Sequence, residues 1–241
     1  MPRFYCPCPL VIGSTIDLPA ETAHHIFVLR LQLGDQLELF NGEGGSFLAI
    51  LIEVGKKQAR AEIKLHRALE TELPFGLSLA QALPEGNKMD WIIEKAVELG
   101  VSNIQPLAAQ RCVVKLNCER AEKKSQHWRS IIQAASEQCG RNRLAHLGEL
   151  VDVQKWLTQQ DLHKRILLSP RGSESLADWA RHHSAQAITV MIGPEGGFSD
   201  AEEKMAIEHG AICLSMGPRV LRTETAGIVA ASILSASWGG I

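Results

Sequence analysis

AITVMIGPEGGFSDAEEKMAIEHGAICLSMGPRVLRTETAGIVAASILSASW, residues 187–238, is the stretch whose reading decides the fold. It opens on a short β-branched apolar run, 187–192, of the kind that forms a buried strand. The run breaks at Gly193-Pro194-Glu195-Gly196-Gly197, where three glycines in five residues allow unusual backbone angles and close ligand approach. Ser199 and Glu202 have capping-box spacing and start a helix that Gly210 stops. A second short strand, 211–215, leads into the loop 216–222, and 223–238 is a helix rich in small residues. Two glycine-bearing loops at the ends of consecutive strands are how an open α/β sheet builds a ligand crevice. The first loop has no lysine and carries Glu195, so it is not a phosphate cradle of the usual kind. Hydroxyls, an adenine edge or a cation suit it better than a pyrophosphate.

The whole chain sets wide bounds. Its 241 residues allow one large domain or a small and a medium one, and 45% hydrophobic with 22% charged residues is ordinary globular composition. No apolar run reaches the roughly 18 residues that cross a bilayer. The start, Met-Pro-Arg-Phe-Tyr-Cys, lacks a signal-peptide pattern, so a cytoplasmic location with no membrane contact is expected. Cysteines at 6, 8, 112, 118, 139 and 213 show no zinc-site spacing and read as reduced structural thiols; the nine histidines are dispersed, and no metal is expected. The formal charge of −2 does not advertise a nucleic-acid binder, but residues 110–143 carry eight basic and three acidic side chains. A phosphate backbone would be met there, unless the segment is an ordinary solvated helix face.

Upstream, residues 1–72 read as mostly β, with a hairpin turning at Asn41-Gly42-Glu43-Gly44-Gly45 and a short helix between 19 and 33. A small half-open barrel is the economical outcome, with a boundary near Pro74 and Gly76. From Leu77 strands and helices alternate: a strand over 77–83, a helix over 88–99 closed by Gly100, a strand over 104–108, a long helix from about 119 to 138, and a strand over 165–169 ending at Pro170-Arg171-Gly172.

Gly-Pro-Glu-Gly-Gly followed by Leu-Ser-Met-Gly-Pro-Arg-Val-Leu-Arg-Thr-Glu-Thr-Ala closely resembles the knot motifs of the bacterial 16S ribosomal RNA uridine-N3 methyltransferases, of the SPOUT or trefoil-knot class. Lys88-Met89-Asp90, residues 93–100 and residues 137–141 match the same family, so the resemblance spans essentially the whole chain; Leu-Ala-Ala-Gln before Arg111 departs from the family's more polar run. The resemblance implies a PUA-like RNA-binding domain at 1–72 and a knotted, mostly parallel α/β methyltransferase domain at 73–241. It also implies a homodimer, with the small-residue helix 223–238 packing either across that interface or on its own sheet. It implies S-adenosylmethionine as donor and 16S ribosomal RNA of the small subunit as acceptor.

On this reading Leu168, Ile192, Gly193, Pro194, Glu195, Gly196, Gly197, Leu214, Met216, Gly217, Leu221, Thr225 and Ala226 wall the adenosine pocket. Glu195 would meet a hydroxyl or cationic group of the donor, or stay solvated. Attack by N3 on a sulfonium carbon is mostly positioning, with negative charge growing on the uracil imide as its proton leaves. Arg222 is the group expected to meet that charge, unless it pairs with Glu224 or Glu195; Arg219 competes for the role or binds phosphate. N3 attack needs no cysteine adduct, so Cys139 is expected to pack or to support the site from behind rather than to act as a nucleophile. Arg111, Arg141 and Arg143 are expected at the mouth against RNA, and Arg3 and Arg30 fall in matching segments of the PUA-like domain. Two rivals stand: a non-catalytic RNA-binding assembly factor of the same fold, and a dinucleotide enzyme, against which the missing Gly-x-Gly-x-x-Gly speaks.

Overall fold

The computed structural model describes residues 1–240, with Cys118 described by its backbone alone. In chain order the elements are β1 (Arg3–Tyr5), β2 (Thr15–Asp17), α1 (Ala20–Val28), β3 (Gln36–Phe40), β4 (Ser46–Val54), β5 (Ala59–Arg67), β6 (Leu77–Ala82), α2 (Lys88–Glu98), β7 (Asn103–Ala108), α3 (Cys118–Cys139), β8 (His146–Leu147), β9 (Val151–Asp152), α4 (Val153–Leu157), β10 (Lys164–Leu168), β11 (Glu174–Ser175), α5 (Leu176–His182), β12 (Ile188–Ile192), α6 (Asp200–Glu208), β13 (Ile212–Ser215) and α7 (Thr223–Trp238). None of these helices is long and apolar enough to cross a membrane.

Contacts divide the chain into two units. One comprises Met1–Thr71 with Ser136–Leu144, the other Glu72–Ala135 with Ala145–Ile241. The first unit therefore takes in nine residues that the sequence reading had placed in the second domain. Their attachment has a local cause. The Arg3 guanidinium donates to Ser136 O at 2.6 Å, to Arg141 O at 2.7 Å and to Asn142 Oδ1, and lies 4.0 Å from the Phe40 ring. Ser136 O lies at the end of α3, where a helix favours a cation, and accepts the Gly140 N–H at 3.2 Å as well.

Within the first unit the sheet runs β1-β3-β4-β5-β2, parallel only between β1 and β3. Period-two alternation in β3 to β5 sends Leu37, Leu39, Ala49, Leu51, Ala61 and Ile63 into a core closed by Phe4, Ala23 and Ile26. Cys6 sits in that core with its Sγ 3.2 Å from Cys8 Sγ; burial first, then the Cys8 hydrogen bond, pushes its pKa up to about 12, so it is an inert thiol.

In the second unit an all-parallel sheet runs β11-β13-β10-β12-β6-β7-β8, with β9 also paired to β7. Every residue of β6 and β12 is buried, the signature of strands covered on both faces by helices. The expected stops and starts are present: Gly100 and Gly210 take φ of +84° and +85° after α2 and α6, and Ser199 with Glu202 forms a complete capping box. Helix α7 packs on α2, α5, β6 and β12. A Cβ at Gly227 would stand 3.4 Å from Leu79 Cδ1, so the small residues bring α7 close to its own sheet. The sequence reading missed β1, β2, β8, β9, β11 and α4, all of five residues or fewer, too short for periodicity to register.

Candidate active site

Three chain segments leave the carboxyl ends of β10, β12 and β13 side by side, because β10 pairs with both of the others. They enclose a cavity of about 550 Å³, within the usual range for a small-molecule site. Leu168 to Arg171 line it after β10, Ile192 to Phe198 after β12, and Met216, Gly217 and 219–224 after β13; Lys88, Arg111, Glu203 and Ala226 complete the wall.

The β12 loop is held rigidly. A Cβ on Gly193 would stand 2.8 Å from Phe198 N and 2.9 Å from Gly197 C, so the chain can fold back on itself there only without a side chain. Gly197 N donates to Pro194 O at 2.8 Å, and Gly197 takes φ +68°. Arg111 Nη1 donates to Gly196 O at 2.9 Å and Phe198 O at 3.1 Å. From below, the Thr223 hydroxyl donates to Gly193 O at 2.6 Å and accepts from Gln81 Nε2 at 3.0 Å, joining the loop after β12 to the start of α7 and the end of β6. Glu202, at the start of α6, accepts from Gln110 N at 2.8 Å and so ties the same loop to the end of β7.

Charge in the cavity is partly neutralised. Lys88 Nζ lies 2.5 Å from Glu195 Oε1, which also accepts from Glu85 N at 3.1 Å. Desolvation alone would raise the Glu195 carboxyl, but the hydrogen bonds from Lys88 and backbone outweigh it and hold the carboxyl below its ordinary value. The same bond raises Lys88. Arg171 bridges Asp200 at 2.8 Å and Glu203 at 3.4 Å. Among the described residues the guanidinium groups of Arg219 and Arg222 make no hydrogen bond or ion pair, and both side chains are exposed. Arg222 is the N-cap of α7, two residues before Glu224.

Of the residues expected at the donor pocket, all but two line this one cavity. Leu214 is 1% exposed within β13, and Thr225 stands one residue along from the lining Glu224 with its backbone N–H turned to Arg222 O at 3.0 Å. The residues expected to face RNA scatter. Arg219 and Arg111 reach the cavity, Arg111 with one nitrogen already committed to loop carbonyls. Arg30 is exposed after α1 at φ +59°, and Arg143 is exposed beside Glu70 at 3.6 Å. Arg3 spends its donors within its own unit, and Arg141 is 3% exposed. Lining the cavity but not assigned to it from sequence are Lys88, Ser169, Pro170, Arg171, Phe198, Glu203, Val220, Thr223 and Glu224, several of them inside the quoted motifs. Pro170-Arg171-Gly172 was readable as a third strand end, and three such ends side by side would have marked it.

Comparison with known proteins bears on the same residues. An RNA methyltransferase domain model matches residues 71–235 and an RNA methyltransferase PUA domain model matches residues 18–64. The chain is 31% identical over 243 residues to the ribosomal RNA small subunit methyltransferase E of Buchnera aphidicola subsp. Schizaphis graminum, covering 100% of this chain and 98% of the relative. The chain belongs to that methyltransferase family. The Bacillus subtilis member is 32% identical over 231 residues, 92% of this chain and 90% of its own. Two solved structures share the fold of this methyltransferase throughout. A methyltransferase from Legionella pneumophila with bound S-adenosylmethionine superposes with a TM-score of 0.93 at 39% identity, over 98% and 97% of the two chains. The ribosomal RNA small subunit methyltransferase E of Neisseria gonorrhoeae, bound to S-adenosyl methionine, gives 0.92 at 36% identity over 99% and 98%.

Proposed function

We propose that this methyltransferase transfers the methyl group of S-adenosylmethionine to N3 of a uridine in 16S ribosomal RNA of the small subunit. The observation that carries the reading is the cavity itself: about 550 Å³, walled by backbone at Gly193 to Gly197 and 216–217, with the free guanidinium of Arg222 at its edge. Main-chain groups brought close by glycine suit the hydroxyls and ring edge of an adenosine. Two solved relatives above 35% identity carry this donor, which supports its assignment here.

In the proposed reaction the uracil N3 lone pair attacks the methyl carbon while the S–CH₃ bond breaks and its electron pair returns to sulfur. The N3 proton must leave, and negative charge spreads over the imide. Arg222 meets that charge, since a guanidinium is always charged and presents a planar fork of donors. N3 is engaged in base pairing, so the target uridine must be unpaired or flipped out. The PUA-like segment, with Arg30 exposed, and the exposed Arg143 and Arg219 supply RNA contacts in this reading. A homodimer and a cytoplasmic site of action belong to the same proposal.

Nucleoside analysis of small-subunit RNA from cells lacking the chain tests the acceptor: N3-methyluridine should disappear from one position and return with the wild-type chain. Its persistence would sink the N3 assignment. Calorimetry with S-adenosylmethionine tests the donor, and light scattering tests the dimer, which a monomer at micromolar concentration would reject.

A further inference from the structure

Three carboxylates line the cavity: Glu195, Glu203 and Glu224. Two of them are committed. Glu195 holds Lys88 and the Glu85 N–H, and Glu203 holds Arg171. Glu224 differs, because its carboxylate makes no hydrogen bond or ion pair among the described residues; Oε2 is closed off from solvent, so Oε1 is the oxygen left to serve the cavity that this half-buried residue lines. A carboxylate left without a partner at a cavity wall needs an explanation. No histidine, aspartate or cysteine lines the cavity among the described residues, and Lys88 is held in its charged form by Glu195. The reaction proposed above needs a group to receive the N3 proton, and Glu224 is the cavity carboxylate with acceptor capacity still open.

Its place in the fold suits the task. Glu224 is in the first turn of α7, at the carboxyl-end mouth of the sheet where the three loops meet. It follows the N-cap Arg222 by two residues, and both line the same cavity. One residue can therefore accept the proton while the other meets the charge that the departing proton leaves behind.

We infer that Glu224 is the general base of the reaction, a reading that rests on the uridine-N3 assignment. The Glu224 carboxylate takes the proton from N3, the N3 electron pair forms the bond to the methyl carbon, and the S–CH₃ electron pair passes to sulfur. The products are N3-methyluridine, S-adenosylhomocysteine and a protonated Glu224 that returns its proton to water.

The test compares the full-length wild type with Glu224→Gln and Glu224→Asp on small-subunit RNA carrying uridine or 5-fluorouridine, whose ring fluorine acidifies N3. A base is worth roughly a hundredfold to ten-thousandfold in rate. Glu224→Gln should therefore lose about a hundredfold or more in turnover on uridine, with donor affinity and melting temperature unchanged. On 5-fluorouridine the defect should shrink by about tenfold or more, because less help is needed to remove the proton. Glu224→Asp, which keeps a retracted carboxylate, should show a smaller defect with the same dependence on fluorination. Turnover of Glu224→Gln at the wild-type rate overturns the assignment. So does a defect indifferent to fluorination, and so does one accounted for by weaker donor binding, the result expected if Glu224 instead holds the donor's ammonium group. Should the wild type make a methylated product other than N3-methyluridine, the N3 reading and this inference fall together; wild-type N3-methyluridine with an active Glu224→Gln removes only this inference.

Discussion

Replacing Thr223 by valine changes shape very little and removes one hydroxyl. That hydroxyl is 2.6 Å from Gly193 O and 3.0 Å from Gln81 Nε2, on a residue only 6% exposed. Gln81 Nε2 keeps its bond to Ala82 O at 2.8 Å, but Gln81 Oε1 is already without a partner, so the amide cannot turn to offset the loss at no cost. The main penalty falls on Gly193 O, a carbonyl at the root of the donor-binding loop, which loses its hydroxyl donor. Stranding one such acceptor costs about 1–3 kcal/mol, so about 2 kcal/mol is a reasonable expectation. For a unit of this size that corresponds to a melting temperature lower by roughly 4–8 °C. Donor affinity should fall as well, because the peptide that carries Gly193 is no longer pinned to α7. Thr223→Ser, which restores the hydroxyl, should recover most of both. Differential scanning calorimetry and titration calorimetry with S-adenosylmethionine read the two effects. A Thr223→Val protein that melts within a degree of wild type and binds the donor equally well would refute the argument that this hydroxyl fastens the loop.

Gly193→Ala should abolish donor binding in calorimetry, since its Cβ would stand 2.8–2.9 Å from backbone of residues 197 and 198; Gly196→Ala, facing only the Arg111 side chain at 3.4–3.5 Å, should be milder. Arg222→Lys should lower turnover by roughly a hundredfold with donor affinity and melting temperature preserved, as when one preorganised donor is lost; wild-type turnover in a methyl-transfer assay would remove the role. The Glu195 carboxyl lies below its ordinary value, so its contribution to stability is present above that value and fades as pH falls through the folded one. Glu195→Gln should therefore flatten the acid side of a stability-against-pH curve, by a small amount given its one-third exposed side chain. Arg3→Met should destabilise the first unit by roughly 3 kcal/mol in denaturant titration, because Arg141 O and Asn142 lose a charged donor at once, while Ser136 O keeps the Gly140 N–H; an unchanged midpoint would instead leave Arg3 free to serve RNA.

Local chemistry makes much of this protein legible in its sequence. Glycine stops after α2 and α6, the Ser199–Glu202 box and the buried runs of β6 and β12 each depend on residues near one another in sequence, so each could be read directly. The loops after β12 and β13 announced themselves in the same way, since glycine at a strand end is itself the signal. Which loops meet was another matter. Adjacency of the segments after β10, β12 and β13 follows from strand order, with β10 between the other two, and strand order is a long-range property that no local spacing encodes. Side-chain assignments divide along the same line. Arg3 and Arg222 are the same residue type in equally polar sequence surroundings. Only the fold brings the carbonyls of Ser136 and Arg141 to the first and leaves the second without a partner beside the cavity. Residue type told what each group can do, while tertiary packing decided which groups had already spent that capacity and which, like Glu224, had not.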